Sequence, residues 1–214
     1  MICEGPFVYA DPMAQRLLGE SNVPRRALFL DRDGVINLDR GYVHTPEQTV
    51  FVPGVFEICR KAHGEGHIVV VVTNQAGIAR GMYSETQFVQ YTRWVHEQFA
   101  SQNAPLLATY YCPHHPTAGV GRYLCACDCR KPAPGMLLAA ARDYDIDLKA
   151  SALIGDQPWD MAAGYSAGVG TRLLLGENHP PSGGDGSEIS AATIVDASLR
   201  LFGSAAPDAL QAPR

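Results

Sequence analysis

From Arg26 onward the chain alternates short apolar runs with longer amphipathic stretches. Ala27-Leu28-Phe29-Leu30 is a compact apolar run ending in Asp31, the pattern of a strand buried on both faces. Pro53-Gly54 opens a helix predicted through Lys61, with Val55, Ile58, Cys59 and Ala62 on one face; Gly64 and Gly66 close it. Residues 67–73, four valines after an isoleucine, form the strongest predicted strand. Ser84-x-x-Gln87 reads as a capping box for a helix to about Ala100, with Phe88, Tyr91, Val95 and Phe99 as its apolar stripe. A strand over 106–111, a helix over 134–144, a strand over 151–154, a helix to about Ala167 and a strand over 170–175 complete the series. Residues 1–24 show no clear period and read as an N-terminal extension to a domain over 25–176. Eight of the twelve residues 176–187 are Gly, Pro or Ser, so 177–214 reads as a flexible linker and tail carrying a final helix over 189–202.

Strand alternating with helix implies an α/β fold in which a mostly parallel sheet is covered on both faces. Ligands of such sheets sit at the carboxyl ends of the strands, so Asp31, Thr73 and Asp156, each ending a predicted strand, are expected in one crevice. Only about 33 residues separate Asp33 from the valine-rich strand, and they include a helix, which leaves no room for a large cap domain.

Composition narrows the function. The 214 residues suit one domain with a substantial core, and a net charge of −5 argues against a nucleic-acid groove or a membrane-surface patch. No apolar run approaches the roughly 18 residues a spanning helix needs, and the N-terminus lacks the form of a signal peptide. A soluble, cytoplasmic monomer is expected. Of the six cysteines, Cys112, Cys125, Cys127 and Cys129 crowd into 18 residues, which in such a chain reads as metal binding before disulfides.

Residues i and i+2 of an extended chain point to the same side, so the carboxylates of Asp31-Arg32-Asp33-Gly34 can serve one site. Thr73-Asn74-Gln75, Arg130-Lys131-Pro132 and Gly155-Asp156-x-x-x-Asp160 follow at later element boundaries. An Asp-rich turn, a polar loop or a helix N-terminal carboxylate would each explain one of these; the ordered set points to phosphoryl transfer through a carboxylate nucleophile. A phosphomonoester is dianionic, so a hard divalent cation such as Mg²⁺ is required beside the aspartates. In this reading Asp31 attacks phosphorus, Asp31 and Asp156 hold Mg²⁺, Asp33 is the general acid and base, and Thr73 and Lys131 bind the equatorial oxygens. Cys112-x-His114 followed by Cys127-x-Cys129 has the ligand set of a closed structural Zn²⁺ site, although Cys125-x-Cys127 is a competing pair.

These four motifs resemble those of the haloacid-dehalogenase superfamily. The likeness is closest to its D-glycero-D-manno-heptose-1,7-bisphosphate 7-phosphatases, through Gly41-Tyr42-Val43-His44, residues 71–81, residues 110–116 and residues 127–132. The resemblance covers about residues 26–176. It implies a Rossmann-type three-layer sandwich with a zinc-bound loop, acting on a sugar phosphate that feeds nucleotide-activated heptose for lipopolysaccharide core or a surface glycan. It implies that Asp33 adds a backbone carbonyl to the Mg²⁺ ligands Asp31 and Asp156. Asp39, Arg40, Gly41, Tyr42, Asn74, Gln75 and Ala76 would then touch substrate together with Thr73. Arg130 would hold the phosphate that stays on the sugar. It selects Cys112, His114, Cys127 and Cys129 as the zinc ligands and leaves Cys125 spare. Two positions depart from the family pattern: Gln157 stands where Lys is usual, and Ala76 where Ser is common. The related histidinol-phosphate phosphatases share the catalytic motifs and zinc loop and are the nearest alternative; a non-catalytic zinc-stabilised binding module is the alternative of another class.

Overall fold

Alternation along β2 (Arg26–Leu30) sets the layers. Leu28 and Leu30 face one side of the sheet, Ala27 and Phe29 the other, and all four are fully buried. In the computed structural model, which describes residues 3–176 and 187–203, β2 lies at the middle of a seven-stranded sheet. Its neighbours are β3 (His67–Asn74) and β5 (Ala152–Gly155), both parallel to it. Beyond β3 lies β4 (Ala108–Cys112); beyond β5 lie β6 (Thr171–Leu175) and β7 (Glu188–Ala191), all parallel. The chain therefore runs outward from β2 in one direction through β4 and later in the other through β7, which makes the carboxyl end of β2 a topological switch point.

One face carries α2 (Val55–Gly64), α4 (Glu85–Ser101) and α7 (Ile194–Phe202), whose Ile58, Phe99 and Ala197 join Leu28 and Leu30 in one core. The other carries α1 (Pro12–Leu17), α5 (Gly135–Tyr144) and α6 (Pro158–Ala167), with Ala14, Met136, Leu137 and Met161 packed on Phe29 and Val70. This is the expected three-layer α/β sandwich. The capping box of α4 forms as read from Ser84 and Gln87. A single helical turn, α3 (Ala76–Ala79), follows β3. Residues 31–54, between β2 and α2, hold one short helical turn at Pro46–Gln48 and no inserted domain. No helix among the described residues is long and apolar enough to cross a membrane.

Segments near both ends of the described residues join the sheet. Within the expected extension, β1 (Phe7–Ala10) pairs antiparallel with β4. Asp11 caps α1, accepting from the Met13 and Ala14 amides at 2.9 and 2.8 Å. Cys3 forms a disulfide with Cys125, so the thiol left spare by the zinc reading is a cross-link to the N-terminal segment. The helix expected over 189–202 is a strand followed by a helix: Thr193 Oγ1 accepts from the Asp196 amide at 3.1 Å, and this cap starts α7 only at Ile194. Most of the expected linker, residues 177–186, and the tail beyond Gly203 lie outside the described residues.

Candidate active site and metal centres

Asp31 leaves the sheet one residue beyond β2, and its carboxylate is 2.8 Å from Lys131 Nζ. The same ammonium is 2.6 Å from Asp160 Oδ1 and donates to the Val72 carbonyl at 2.9 Å, so its three donors are all engaged. Asp156 follows β5, and Asp160 stands one helical turn later, fully buried in the first turn of α6. Oxygens of Asp31, Asp156 and Asp160 lie within 4.8 Å of one another. Gly34 permits this approach: its φ is +85°, and a Cβ there would fall 2.2 Å from Asp156 Oδ2.

Three carboxylates against one ammonium leave two negative charges in a nearly dry cluster. Burial and the neighbouring Asp160 push the Asp31 carboxyl well above the usual carboxylate range despite Lys131, and burial raises Asp156 as well. Burial alone would lower Lys131, but the Asp160 and Asp31 charges outweigh it and hold the ammonium above its ordinary range. Asp156 Oδ1 is buried without a hydrogen-bond partner. An all-oxygen donor set, two surplus negative charges and an orphaned carboxylate oxygen fit a hard divalent cation such as Mg²⁺.

Asp31 and Asp156 face an open cavity of about 390 Å³, which Asp33, Asp39, Gly41, Tyr42, Thr73, Asn74, Gln75, Ala76, Arg130 and Lys131 also line. Strands β2, β3 and β5 therefore deliver Asp31, Thr73 and Asp156 to one crevice. Arg40 is exposed and does not line it. The Asp33 carboxylate is held apart from the Asp31 cluster by the Arg32 guanidinium at 2.7 Å and the Asn37 amide at 3.0 Å. Asn74 forms a two-way clamp with the Lys131 backbone: Lys131 N donates to Asn74 Oδ1 at 3.0 Å, and Asn74 Nδ2 donates to the Lys131 carbonyl at 3.1 Å. Gln157 Nε2 donates to Asp156 Oδ2 at 3.0 Å, a neutral contact.

Sequence reasoning assigned no role to Asp160, Tyr83 or Trp159. Asp160 was visible in the spacing Gly155-Asp156-x-x-x-Asp160, since i+4 on a helix start returns to the face of the strand end. Tyr83 and the half-exposed Trp159 line the cavity, and no local pattern marks either of them.

The second cluster gathers Cys112 from the end of β4 with His114, Cys127 and Cys129 from the loop after it. Cys129 Sγ is 3.1 Å from Cys112 Sγ, 3.2 Å from Cys127 Sγ and 3.5 Å from His114 Nδ1. Cys112 Sγ lies 3.5 Å from Cys127 Sγ and 3.8 Å from His114 Nδ1. Four soft or borderline donors facing one centre fit a closed tetrahedral Zn²⁺ site. The ring of Phe7 packs edge-on against His114, with centroids 5.9 Å apart.

A family model described as HAD-hydrolase-like matches residues 128–200. The chain is 53% identical over 150 residues to the D-glycero-alpha-D-manno-heptose-1,7-bisphosphate 7-phosphatase of Burkholderia mallei, covering 70% of this chain and 79% of that one. It is 45% identical over 170 residues to the D-glycero-beta-D-manno-heptose-1,7-bisphosphate 7-phosphatase of Vibrio cholerae, covering 79% and 90%. The crystal structure of D,D-heptose 1,7-bisphosphate phosphatase from B. bronchiseptica, complexed with magnesium and phosphate, matches with a TM-score of 0.70 at 28% identity, covering 82% of this chain and 97% of that one. By sequence and by fold, the chain belongs to the D-glycero-D-manno-heptose-1,7-bisphosphate 7-phosphatase family of haloacid-dehalogenase-like phosphoric monoester hydrolases.

Proposed function

We propose that this chain removes the 7-phosphate of D-glycero-D-manno-heptose 1,7-bisphosphate through an aspartyl-phosphate on Asp31. One observation carries the reading: a buried ammonium, Lys131 Nζ, is pinned between Asp31 and Asp160 at the base of a cavity also lined by Thr73 and Arg130. One Asp31 oxygen is held by Lys131, which leaves the carboxylate oriented to form the O–P bond as the P–O bond to C7 breaks. Asp33 gives its proton to the leaving alkoxide and then takes one from the water that hydrolyses the aspartyl-phosphate, releasing inorganic phosphate and restoring Asp31. Thr73 and Lys131 bind the equatorial oxygens of the transferred group, Lys131 exchanging one of its three present contacts for a phosphate oxygen, and Arg130 holds the phosphate that remains on the sugar. Asp31, Asp156 and the Asp33 carbonyl would hold Mg²⁺, which would supply the positive charge that lets a dianion approach the carboxylates. Cys112, His114, Cys127 and Cys129 would hold Zn²⁺ in a structural part, fixing the loop that presents Arg130 and Lys131.

The setting this substrate implies is a cytoplasmic, monomeric enzyme supplying nucleotide-activated heptose for lipopolysaccharide core or a surface glycan. The relatives above are named for opposite anomers at C1, so the test uses both. Phosphate release with Mg²⁺ is measured from the α and β heptose 1,7-bisphosphates and from histidinol phosphate, with Asp31→Asn as control. Faster release from a heptose bisphosphate supports the proposal. Preference for histidinol phosphate overturns the substrate, and no release from any phosphomonoester overturns the catalytic reading in favour of a binding module.

A further inference from the structure

Gln75 presents its whole amide to protein rather than to the cavity. Its Nε2 donates to Thr73 Oγ1 at 2.8 Å, and its Oε1 accepts from the Tyr83 hydroxyl at 2.6 Å. Thr73 and Gln75 are 1% exposed and Tyr83 is 4% exposed, yet all three border the phosphate cavity. The Tyr83 ring is held closely on both sides. His44 stacks on it with centroids 4.4 Å apart, and at Gly77 a Cβ would come within 2.3 Å of the ring.

The direction of these bonds has a chemical consequence. An amide has one donating end and one accepting end, and a hydroxyl has one proton. With Nε2 toward Thr73, the Thr73 oxygen receives a hydrogen bond and its own proton stays free. With the amide turned over, Oε1 would capture that proton, and Thr73 would have nothing to give a phosphate oxygen. Tyr83 selects between the two. Its hydroxyl proton goes to Gln75 Oε1, which turns the Nε2 end of the amide toward Thr73. Hydrogen bonds in a buried chain of this kind reinforce one another.

We infer that Tyr83 and Gln75 are positioning residues that orient the Thr73 hydroxyl as a donor into the cavity, a role that rests on the phosphatase reading above. Gln75 thereby acts through Thr73 rather than on the sugar. The relay needs the phenolic oxygen as well as the ring, which makes Tyr83→Phe the informative change.

The test is a double-mutant cycle. Tyr83→Phe is expected to lower kcat/KM about tenfold, the order of one oriented hydrogen bond, with the fold retained and the melting temperature lowered by a few degrees as Gln75 Oε1 loses its donor. In a Thr73→Ala background the same change is expected to cost nothing further, while Thr73→Ser, which keeps the hydroxyl, restores the sensitivity. Equal losses from Tyr83→Phe with and without the Thr73 hydroxyl, or no loss in the wild-type background, would overturn the relay. Binding of inorganic phosphate to the Mg²⁺-loaded protein gives a readout without turnover, and Tyr83→Phe is expected to weaken it several-fold. If the wild type turns over no phosphomonoester, the phosphatase reading fails, and phosphate affinity alone decides the relay: an unchanged affinity in Tyr83→Phe overturns it.

Discussion

The carboxylate cluster and the thiol cluster are joined by only two residues of chain, Arg130 and Lys131, yet they are built in opposite ways. The thiol cluster comes from one stretch, 112–129, and its four donors face inward on one another. The carboxylate cluster takes its members from the ends of β2 and β5, from α6 and from the loop that carries Lys131, and it opens onto a cavity. In the first, each donor meets another donor and a soft metal can complete the set. In the second, like charges are forced together around one ammonium, which leaves an electrostatic deficit that a hard cation and a phosphate can use. Order comes from the closed cluster and reactivity from the strained one.

The largest expected effect breaks the comparison at the reactive end. Asp31→Asn should lower turnover about ten-thousand-fold, since an amide does not form the aspartyl-phosphate proposed above. Its melting temperature without Mg²⁺ should stay level or rise, because one buried like-charge contact is removed. A variant that melts well below wild type would show that the carboxylates hold the fold as well as the chemistry. Next, Cys129→Ser should abolish stoichiometric zinc and cost about 3 kcal/mol, or roughly 10 °C in melting temperature, with activity falling in step. Unchanged zinc content and turnover would remove the thiol cluster from any part in positioning Lys131. Between the two, Asp160→Asn takes away one of the two charges that steady Lys131 without touching the nucleophile, and kcat/KM should drop roughly tenfold to a hundredfold with zinc content unaltered.

The smallest effect concerns β1 and α1 at the sheet edge. The His96 side chain, 3.5 Å from Asp11, together with the α1 amides, holds the Asp11 carboxyl down at about 2. A depressed carboxyl contributes stability that is fully present above its unfolded value near 4 and is lost as the pH falls toward 2. Amide exchange of β1 and α1 should therefore accelerate over that window. In Asp11→Asn this acid-induced loosening should be absent, which hydrogen exchange at pH 5 and pH 3 would show.

The same contrast explains what was legible beforehand. A cluster drawn from one segment leaves its spacing in the sequence, and the Cys-x-His and Cys-x-Cys pairs were readable for that reason. Asp31, Thr73 and Asp156 became readable only once the strand-end rule was applied. Asp160 was quoted within its motif, but its bond to Lys131 joins residues whose nearness no local spacing encodes. The same holds for Asn74, expected at the substrate and found clamped to the Lys131 backbone. Edge strands β1 and β7 are short and half-exposed, so neither shows the apolar run that marked β2 and β3. Cys3 and Cys125 are 122 residues apart, and nothing local pairs them.

That last pairing has a practical side. The N-terminal segment is stitched to the cysteine-rich loop at Cys125, zippered to β4 through β1, and seated on the His114 ring by Phe7. Three residues after Cys127 comes Arg130, and then Lys131. An affinity tag placed ahead of Cys3, or a clone started at Arg26 to match the recognisable motifs, would thus pull on the loop that presents Lys131.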